Sequence, residues 1–223
     1  MKITEHNDRE MLALNVANVL AGELENALLV HDTVSFAVPG GTTPGPIFDM
    51  LSAIHLDWNR VHVMLTDERW VPEDHEKSNT RLIKERLLTG HAGAAQFVPF
   101  YQAGLAAGPG AAARAETLGA QFPLSVLLLG MGADMHTASL FPGAEGLEAA
   151  LSPDAPLLCP INDPGQDIER VTLPAHILQG GLSKHLVIFG DDKRTALEGA
   201  FHLPASQAPI GAVLNGAAIH WAA

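Results

Sequence analysis

Short apolar segments alternate with helical segments along this chain, and that alternation limits the possible folds more than any other feature. The segment SVLLLG (125–130) is apolar throughout, which is typical of a strand covered on both faces. Further strands are predicted at residues 33–38, 60–66, 97–100, 156–161, 169–173 and 184–190. Strands interleaved with helices predict an α/β fold in which a mainly parallel sheet has helices on both faces.

Helices are predicted at residues 8–29, 43–54, 78–88, 110–122, 174–180 and 191–201. Three of them begin at residues suited to a helix start: Thr43 followed by Pro44, Ser78, and Asp191. The chain of 223 residues is long enough for one large core, and no internal repeat or low-complexity linker divides it. The sequence therefore predicts a single domain over residues 1–223.

Charge and cysteine content exclude several classes of function. The net charge of −12 opposes binding to nucleic acid or to an anionic membrane, so an anionic ligand needs basic residues gathered locally. Cys159 is the only cysteine, and the histidines show no zinc-binding spacing, so we expect neither a disulfide nor a metal site. The N-terminus has no apolar signal core and no segment approaches the roughly 18 apolar residues of a membrane span, which predicts a cytoplasmic protein.

Ligands of parallel α/β sheets bind beyond the carboxyl ends of the strands, and four predicted strand ends carry unusual residues. The first is VPGGTTPGP (38–46), where Gly40 and Gly41 allow a close backbone approach and Thr42 adds a hydroxyl. The helix that follows has unused N–H groups at its start, which suits a phosphate or another anion. The same residues are equally compatible with an ordinary tight turn.

The second strand end is LTDERWVPEDHEKSN (65–79). Arg69 can hold an oxyanion with two hydrogen bonds, while Asp67 can orient that arginine or bind hydroxyls. A solvated surface loop is the alternative, although Trp70 and its neighbours would make the loop stiff.

The third strand end, GMGADMHTASLFPG (130–143), lacks the last glycine of the dinucleotide fingerprint, so a nicotinamide cofactor is not indicated. His136 can take a proton near neutral pH, and Asp134 can fix its tautomer and stabilise the imidazolium. A histidine whose hydrogen bonds are satisfied by its own loop is the alternative.

The fourth strand end is FGDDKRTALEG (189–199). Lys193 lies in the first helical turn, where the helix dipole disfavours a cation unless it serves a bound anion. Pairing of Lys193 with Asp191 or Asp192 is the alternative. Arg170 is a further basic candidate, although it can begin a strand instead of ending one. Together the four strand ends predict proton transfer or water activation on a phosphorylated small molecule.

The successive motifs PGGTTPGPIFDML, TDERWVPEDHEKSN, GMGADMHTASLFPG, RVTLP and GDDKRTAL resemble those of the 6-phosphogluconolactonase family, in the family's order, from about residue 38 to residue 200. The resemblance implies a Rossmann-like α/β/α fold shared with glucosamine-6-phosphate deaminases and ribose-5-phosphate isomerases. It also implies hydrolysis of 6-phosphoglucono-δ-lactone in the oxidative pentose phosphate pathway, without a cofactor. By motif match, His136 is the base, Asp134 its partner, and Arg69 and Lys193 the phosphate ligands.

Two positions depart from the family pattern. Met135 stands where the family usually has glycine, and Thr42 stands where serine is common. Because methionine rarely adopts the left-handed conformation, we expect the loop to place Met135 in ordinary φ/ψ space.

Two alternative functions stay open from the sequence. A sugar-phosphate isomerase or deaminase on the same fold is disfavoured, because the deaminases carry an acid soon after the histidine and here none occurs before Glu145. A non-catalytic sugar-phosphate sensor would need an output module, and the sequence shows none. The sequence does not determine the oligomeric state.

Overall fold

The structure is a computed structural model that describes residues 3–165 and 167–223. Its strands are β1 (Ile3–Glu5), β2 (Val34–Val38), β3 (Val61–Leu65), β4 (Asp67–Arg69), β5 (Gln96–Val98), β6 (Val126–Leu129), β7 (Cys159–Ile161), β8 (Arg170–Thr172), β9 (Ser183–Phe189) and β10 (Ala218–Ala222). Its helices are α1 (Arg9–Leu28), α2 (Gly45–Ser52), α3 (Asn79–Arg86), α4 (Ala107–Leu118), α5 (Leu147–Leu151), α6 (Ala175–Gln179) and α7 (Asp191–Ala200).

A seven-stranded sheet in the order β1-β10-β9-β6-β2-β3-β5 forms the centre, and every neighbouring pair in it is parallel. Every residue of β2 and β6 is buried, so helices cover both faces of these strands. The predicted α/β fold with a mainly parallel sheet is therefore confirmed. The chain turns in opposite directions from β2 and from β6, which makes the gap between their carboxyl ends a topological switch point.

A second, three-stranded antiparallel sheet has the order β4-β8-β7. Residues 156–161 and 169–173 were predicted as strands, but β8 pairs with β4 and β7 pairs with β8, so neither joins the parallel sheet. The DER triplet was considered as a possible solvated loop, and that alternative is wrong. Asp67 and Glu68 are buried within β4, because their carboxylates find hydrogen-bond donors inside the protein.

Two predicted helix starts are also corrected. Pro44 occupies the cap position of α2, with no side-chain cap from Thr43, because the turn before it already closes through a Gly45 N–H donated to the Thr42 carbonyl. Gly190, with φ of 83°, precedes α7, so Asp191 is its first residue and not its cap. Ser78 caps α3 as predicted, by accepting a hydrogen bond from the Arg81 N–H.

One continuous hydrophobic cluster runs from Leu12 in α1 to Ala222 in β10 and includes the buried residues of both sheets. The edge strand β1, its neighbour β10 and the short helix α5 were not predicted. Among the described residues, no helix combines the length and the apolar character needed to cross a bilayer.

Candidate functional site

A cavity of about 270 Å³ opens at the carboxyl ends of β2, β3, β6 and β9, which are neighbours in the sheet. The sequence-predicted residues that line it are Gly40, Gly41, Thr42, Asp67, Arg69, His136, Arg170 and Lys193. Asp134 is the remaining predicted site residue, and it contacts His136 from outside the lining. The structure thus brings all nine predicted residues to one place.

His136 and Asp134 form a hydrogen-bonded pair beside the end of β6. Asp134 Oδ1 lies 2.5 Å from His136 Nδ1 and 3.3 Å from its backbone nitrogen. Because a carboxylate only accepts hydrogen bonds, Nδ1 carries the hydrogen and Nε2 is the nitrogen that can take a proton. The His136 ring also packs against Phe141, with ring centroids 4.4 Å apart. The histidine is therefore held in one tautomer while it faces the cavity.

The turn that carries this pair depends on Gly132. A Cβ at that position would lie 2.3 Å from His136 Nδ1 and 2.4 Å from Asp134 Oδ1, so only glycine leaves room for the pair. Two backbone hydrogen bonds close the turn, from Gly132 N to His136 O and from Met135 N to Gly132 O, both 3.0 Å.

Met135 has a φ of 67°, so the expectation of ordinary φ/ψ space was wrong. The turn needs a left-handed residue between Asp134 and His136 for the carboxylate to reach both the ring and the backbone nitrogen of His136. Met135 is held there by tertiary contacts: its carbonyl accepts from Ile210 N at 3.1 Å, and its Cε lies over Gly199 of α7.

The loop between β2 and α2 forms one wall of the cavity. Gly41 has a φ of 84°, and a Cβ at Gly40 would lie 2.0 Å from Asn79 Oδ1. Both glycines are therefore required by the geometry, Gly41 by its backbone conformation and Gly40 by the close approach of Asn79. The loop is a tight turn that also lines the cavity, together with Thr42.

Three cationic side chains reach the cavity from different elements. Arg69 and Arg170 are register partners on β4 and β8, and the Arg170 guanidinium lies over the Phe141 ring at 5.1 Å. Burial, and then the nearby charge of Arg69, lower the pKa of Arg170. Burial lowers the pKa of Lys193, while the charge of Asp134 acts in the opposite direction. Arg170 thus begins its strand, as one alternative had it, and still lines the cavity.

The alternative pairing of Lys193 does not occur in the part of the chain that the structure describes: no ion pair joins it to Asp191 or Asp192. Although the net charge of the chain is −12, three cationic side chains are gathered at this cavity, beside the carboxylates of Asp67 and Asp134. Such a cavity favours an anionic ligand.

Asp67 connects the histidine loop to the small sheet. Its buried carboxylate accepts hydrogen bonds from Ser139 Oγ at 2.6 Å and from Thr66 Oγ1 at 3.2 Å. One of its oxygens also lies 3.8 Å from Arg170 Nη1. Asp67 therefore orients Arg170, and Ser139 ties the loop that carries His136 to the same carboxylate.

Asn79 and Glu68 were not predicted as site residues. Asn79 lines the cavity and accepts a 2.5 Å hydrogen bond from Arg69 Nη1, and Glu68 accepts hydrogen bonds from the backbone of both. The only sequence signal was the helix start at Ser78, which places Asn79 in the first turn of α3 but does not indicate its partner. Within the described residues, no group of three or more His, Cys, Asp or Glu side chains is arranged to hold a metal ion.

Comparisons with known proteins cover nearly the whole chain. Residues 7–221 match the model of the family described as glucosamine-6-phosphate isomerases/6-phosphogluconolactonase. The chain is 40% identical over 213 residues to a 6-phosphogluconolactonase of Mesorhizobium japonicum, covering 94% of this chain and 89% of that protein. It is also 40% identical over 220 residues to one of Rhizobium meliloti, covering 95% and 94%.

Among solved structures, a 6-phosphogluconolactonase from Shewanella baltica superposes with a TM-score of 0.94 at 32% identity, covering 99% of this chain and 97% of that one. The match therefore extends over the sheet, the cavity and the motifs around it. The chain belongs to the glucosamine-6-phosphate isomerase/6-phosphogluconolactonase family.

Proposed function

We propose that this protein is a 6-phosphogluconolactonase, which hydrolyses 6-phospho-D-glucono-1,5-lactone to 6-phospho-D-gluconate in the oxidative pentose phosphate pathway. The observation that carries the proposal is the position of the His136–Asp134 pair in one cavity with Arg69, Arg170 and Lys193. A lactone with a phosphate needs a proton acceptor at one end of the site and cations at the other. The names of the relatives agree with this reaction.

In the proposed mechanism, Nε2 of His136 takes a proton from water as the water oxygen attacks the lactone carbonyl. Asp134 stabilises the imidazolium that forms and keeps the ring oriented. The imidazolium then returns the proton to the ring oxygen as the bond between carbonyl carbon and ring oxygen breaks. The products are the free carboxylic acid and the hydroxyl group, so no covalent intermediate is needed.

In this proposal the phosphate lies between the glycine loop and the cationic side chains. Gly40, Gly41 and Thr42 offer backbone and hydroxyl donors, while Arg69 and Lys193 supply charge-assisted hydrogen bonds. The oxyanion of the tetrahedral intermediate takes donors from the glycine loops. A phosphorylated sugar does not cross a bilayer unaided, so we place the reaction in the cytoplasm.

The experiment compares acid release from the phosphorylated lactone with ammonia release from glucosamine 6-phosphate. We expect acid release above the spontaneous background and no ammonia. His136→Ala should lower kcat by about 10²-fold or more, because it removes the general base. The matched control is His202→Ala, an exposed histidine away from the cavity, which should leave kcat unchanged.

Near wild-type turnover in His136→Ala would remove this histidine from the mechanism, even if the lactone is the substrate. Ammonia release without acid release would instead identify a deaminase. Binding of both phosphosugars with neither reaction would indicate a sensor.

A further inference from the structure

We infer that Asn79 is a positioning residue that holds the Arg69 guanidinium at the cavity, and that the buried Glu68 carboxylate holds Asn79 in turn. The inference rests on the proposed function, because it assigns Arg69 to the phosphate of the same substrate. It gives a role to two further residues, Asn79 and Glu68, which affect substrate binding only through the position of Arg69.

Arg69 depends on few acceptors for its orientation. Its Nη1 donates to Asn79 Oδ1 at 2.5 Å and to the Lys77 carbonyl at 3.1 Å. Its Nε is buried and has no hydrogen-bond partner among the residues that the structure describes. The Lys77 carbonyl belongs to an exposed residue, whereas Asn79 is 1% exposed. Asn79 is therefore the rigid acceptor for this guanidinium.

The Asn79 side chain can adopt only one amide orientation. Its Nδ2 donates to the Asp67 carbonyl at 2.9 Å, while its Oδ1 accepts from Arg69. A flipped amide would turn its NH2 group towards the guanidinium and its oxygen towards a carbonyl. The amide also packs directly over Gly40, where no Cβ would fit. Asn79 thus fixes Arg69 relative to the glycine loop that it contacts.

Glu68 holds the first turn of α3 against β4. It is fully buried, and its two oxygens accept five hydrogen bonds, from Arg69 N, Ser78 Oγ, Asn79 N, Thr80 N and Thr80 Oγ1. Burial raises the pKa of Glu68, and the hydrogen bonds from Asn79 and Thr80 act against that rise. The same carboxylate therefore binds the backbone of both Arg69 and Asn79, so their separation is fixed before the substrate arrives.

A fixed guanidinium binds a phosphate more tightly, because less side-chain freedom is lost on binding. We expect Asn79→Ala to raise KM for the phosphorylated lactone about tenfold, as for the loss of a hydrogen bond to a charged group. Hydrolysis of unphosphorylated glucono-1,5-lactone should not change. This difference between substrates separates positioning of Arg69 from general damage to the fold.

The decisive experiment is a double-mutant cycle of Asn79→Ala and Arg69→Ala. If Asn79 acts through Arg69, the double variant should be no worse than Arg69→Ala alone. Arg81→Gly is the matched control, because it weakens the exposed side of the same helix without contacting the cavity. It should lower the free energy of unfolding and leave KM unchanged. Asn79→Ser is the second variant if Asn79→Ala does not fold.

The affinity for 6-phosphogluconate, measured by calorimetry on the same variants, separates the two proposals. A cycle in which the two losses add, or Arg81→Gly raising KM as much as Asn79→Ala, would overturn the inference while the proposed function stands. A wild-type protein that binds 6-phosphogluconate but does not hydrolyse the lactone would overturn the function, and the cycle could still be completed from affinities. A wild-type protein that does neither would overturn both.

Discussion

Two residues close to the histidine adopt a backbone conformation that side chains normally avoid. Met135 has a φ of 67° and Ala138 a φ of 49°, and they lie on either side of His136. The left-handed region costs a residue with a Cβ roughly 1–2 kcal/mol relative to glycine. The cost is offset by contacts that fix the loop, among them Thr137 Oγ1 donating to the Gly130 carbonyl at 2.8 Å. The loop that carries His136 is therefore strained and firmly held, as is common at functional sites.

Met135→Gly should stabilise the protein by up to about 1 kcal/mol, because glycine removes the strain at positive φ. The gain is reduced by the greater freedom of glycine in the unfolded chain and by the lost contact of the Met135 side chain with α7. The midpoint of urea unfolding is the measurement. Ala138→Gly is the matched control, since it has the same sign of φ and only a methyl group to lose. A lower midpoint for Met135→Gly but not for Ala138→Gly would mean that packing outweighs strain.

At the scale of elements, a chain of hydrogen-bonded histidines joins α1 to the edge of the parallel sheet. His6 Nε2 lies 3.2 Å from His220 Nδ1, His220 Nε2 lies 3.1 Å from His185 Nδ1, and His185 Nε2 lies 2.7 Å from Glu23 Oε2. Because the Glu23 carboxylate only accepts, each histidine donates from Nε2 and accepts at Nδ1. Asn15 Nδ2, 3.3 Å from His6 Nδ1, completes the series. Every hydrogen bond is satisfied while all three rings are neutral.

A second proton on His220 would turn an Nδ1–H towards the Nε2–H of His6, so the neutral form of His220 is favoured. Burial lowers the pKa of His220 to about 4, and a positive charge on the neighbouring His185 or His6 would act in the same direction. Burial also lowers the pKa of His6. Burial alone would raise the pKa of Glu23, but hydrogen bonds from His185 and Ser183 bring it below its ordinary value. All three shifts make the folded state less stable at acidic pH than at neutral pH.

The free energy of unfolding should therefore fall on acidification. Because the unfolded chain binds a proton on His220 from about pH 6.5 and the folded chain only near pH 4, stability is lost as the pH falls across that interval, by about 3 kcal/mol. The lowered pKa of Glu23 adds to the loss at lower pH. Urea unfolding at several pH values measures the slope. His220→Gln, which keeps one donor and one acceptor but does not titrate, should make the slope smaller.

His202→Gln is the control for this prediction, since His202 is exposed and lies outside the histidine chain. An unchanged slope in His220→Gln would show that other groups control the acid sensitivity.

The elements that the sequence predicted are those whose apolar pattern is local. The buried strands β2, β3, β6 and β9 and the long helix α1 each carry that pattern within their own residues. The strand β4 does not, because its Asp67, Glu68 and Arg69 are stabilised by donors and partners from distant segments. The edge strand β1 is only three residues long and pairs with β10, which in turn depends on its pairing with β1 and β9. Pairing between segments far apart in the chain leaves no local signal.

At the scale of the whole molecule, the site was predictable because ligands of parallel α/β sheets bind beyond the carboxyl ends of the strands. Four predicted strand ends carried polar residues, and the strand order β9-β6-β2-β3 makes those ends neighbours. The order itself could not be obtained from the pattern. Arg170 reaches the cavity from the second sheet, and Asn79 reaches it from a helix start, so neither contact follows from a strand end. The sequence thus predicted the residues that line the cavity, but it did not predict the contacts that hold them in position.

The two sheets share one hydrophobic cluster, and we propose that the whole chain unfolds as one unit. The chain has three tryptophans in different regions: Trp58 is buried before β3, Trp70 follows β4 of the small sheet, and Trp221 lies in β10, next to the edge strand β1. Two hydrogen bonds hold Trp70 in place. Its backbone N–H donates to the Glu169 carbonyl and its indole N–H donates to the Leu105 carbonyl, each at 2.8 Å. The three side chains can therefore report on separate parts of the fold.

Single-tryptophan variants test this proposal, with the other two residues replaced by phenylalanine. Within each variant, the urea midpoint from fluorescence should coincide with the midpoint from far-ultraviolet circular dichroism, because an all-or-none transition gives the same midpoint by every probe. Comparing two probes in the same variant removes the effect of the substitutions on stability. A fluorescence midpoint below the dichroism midpoint for the Trp70 variant alone would show that the small sheet opens first. In that case Arg69 and Arg170 would leave the cavity before the parallel sheet unfolds, and 6-phosphogluconate, the product of the proposed reaction, should bring the two midpoints together by binding the folded site.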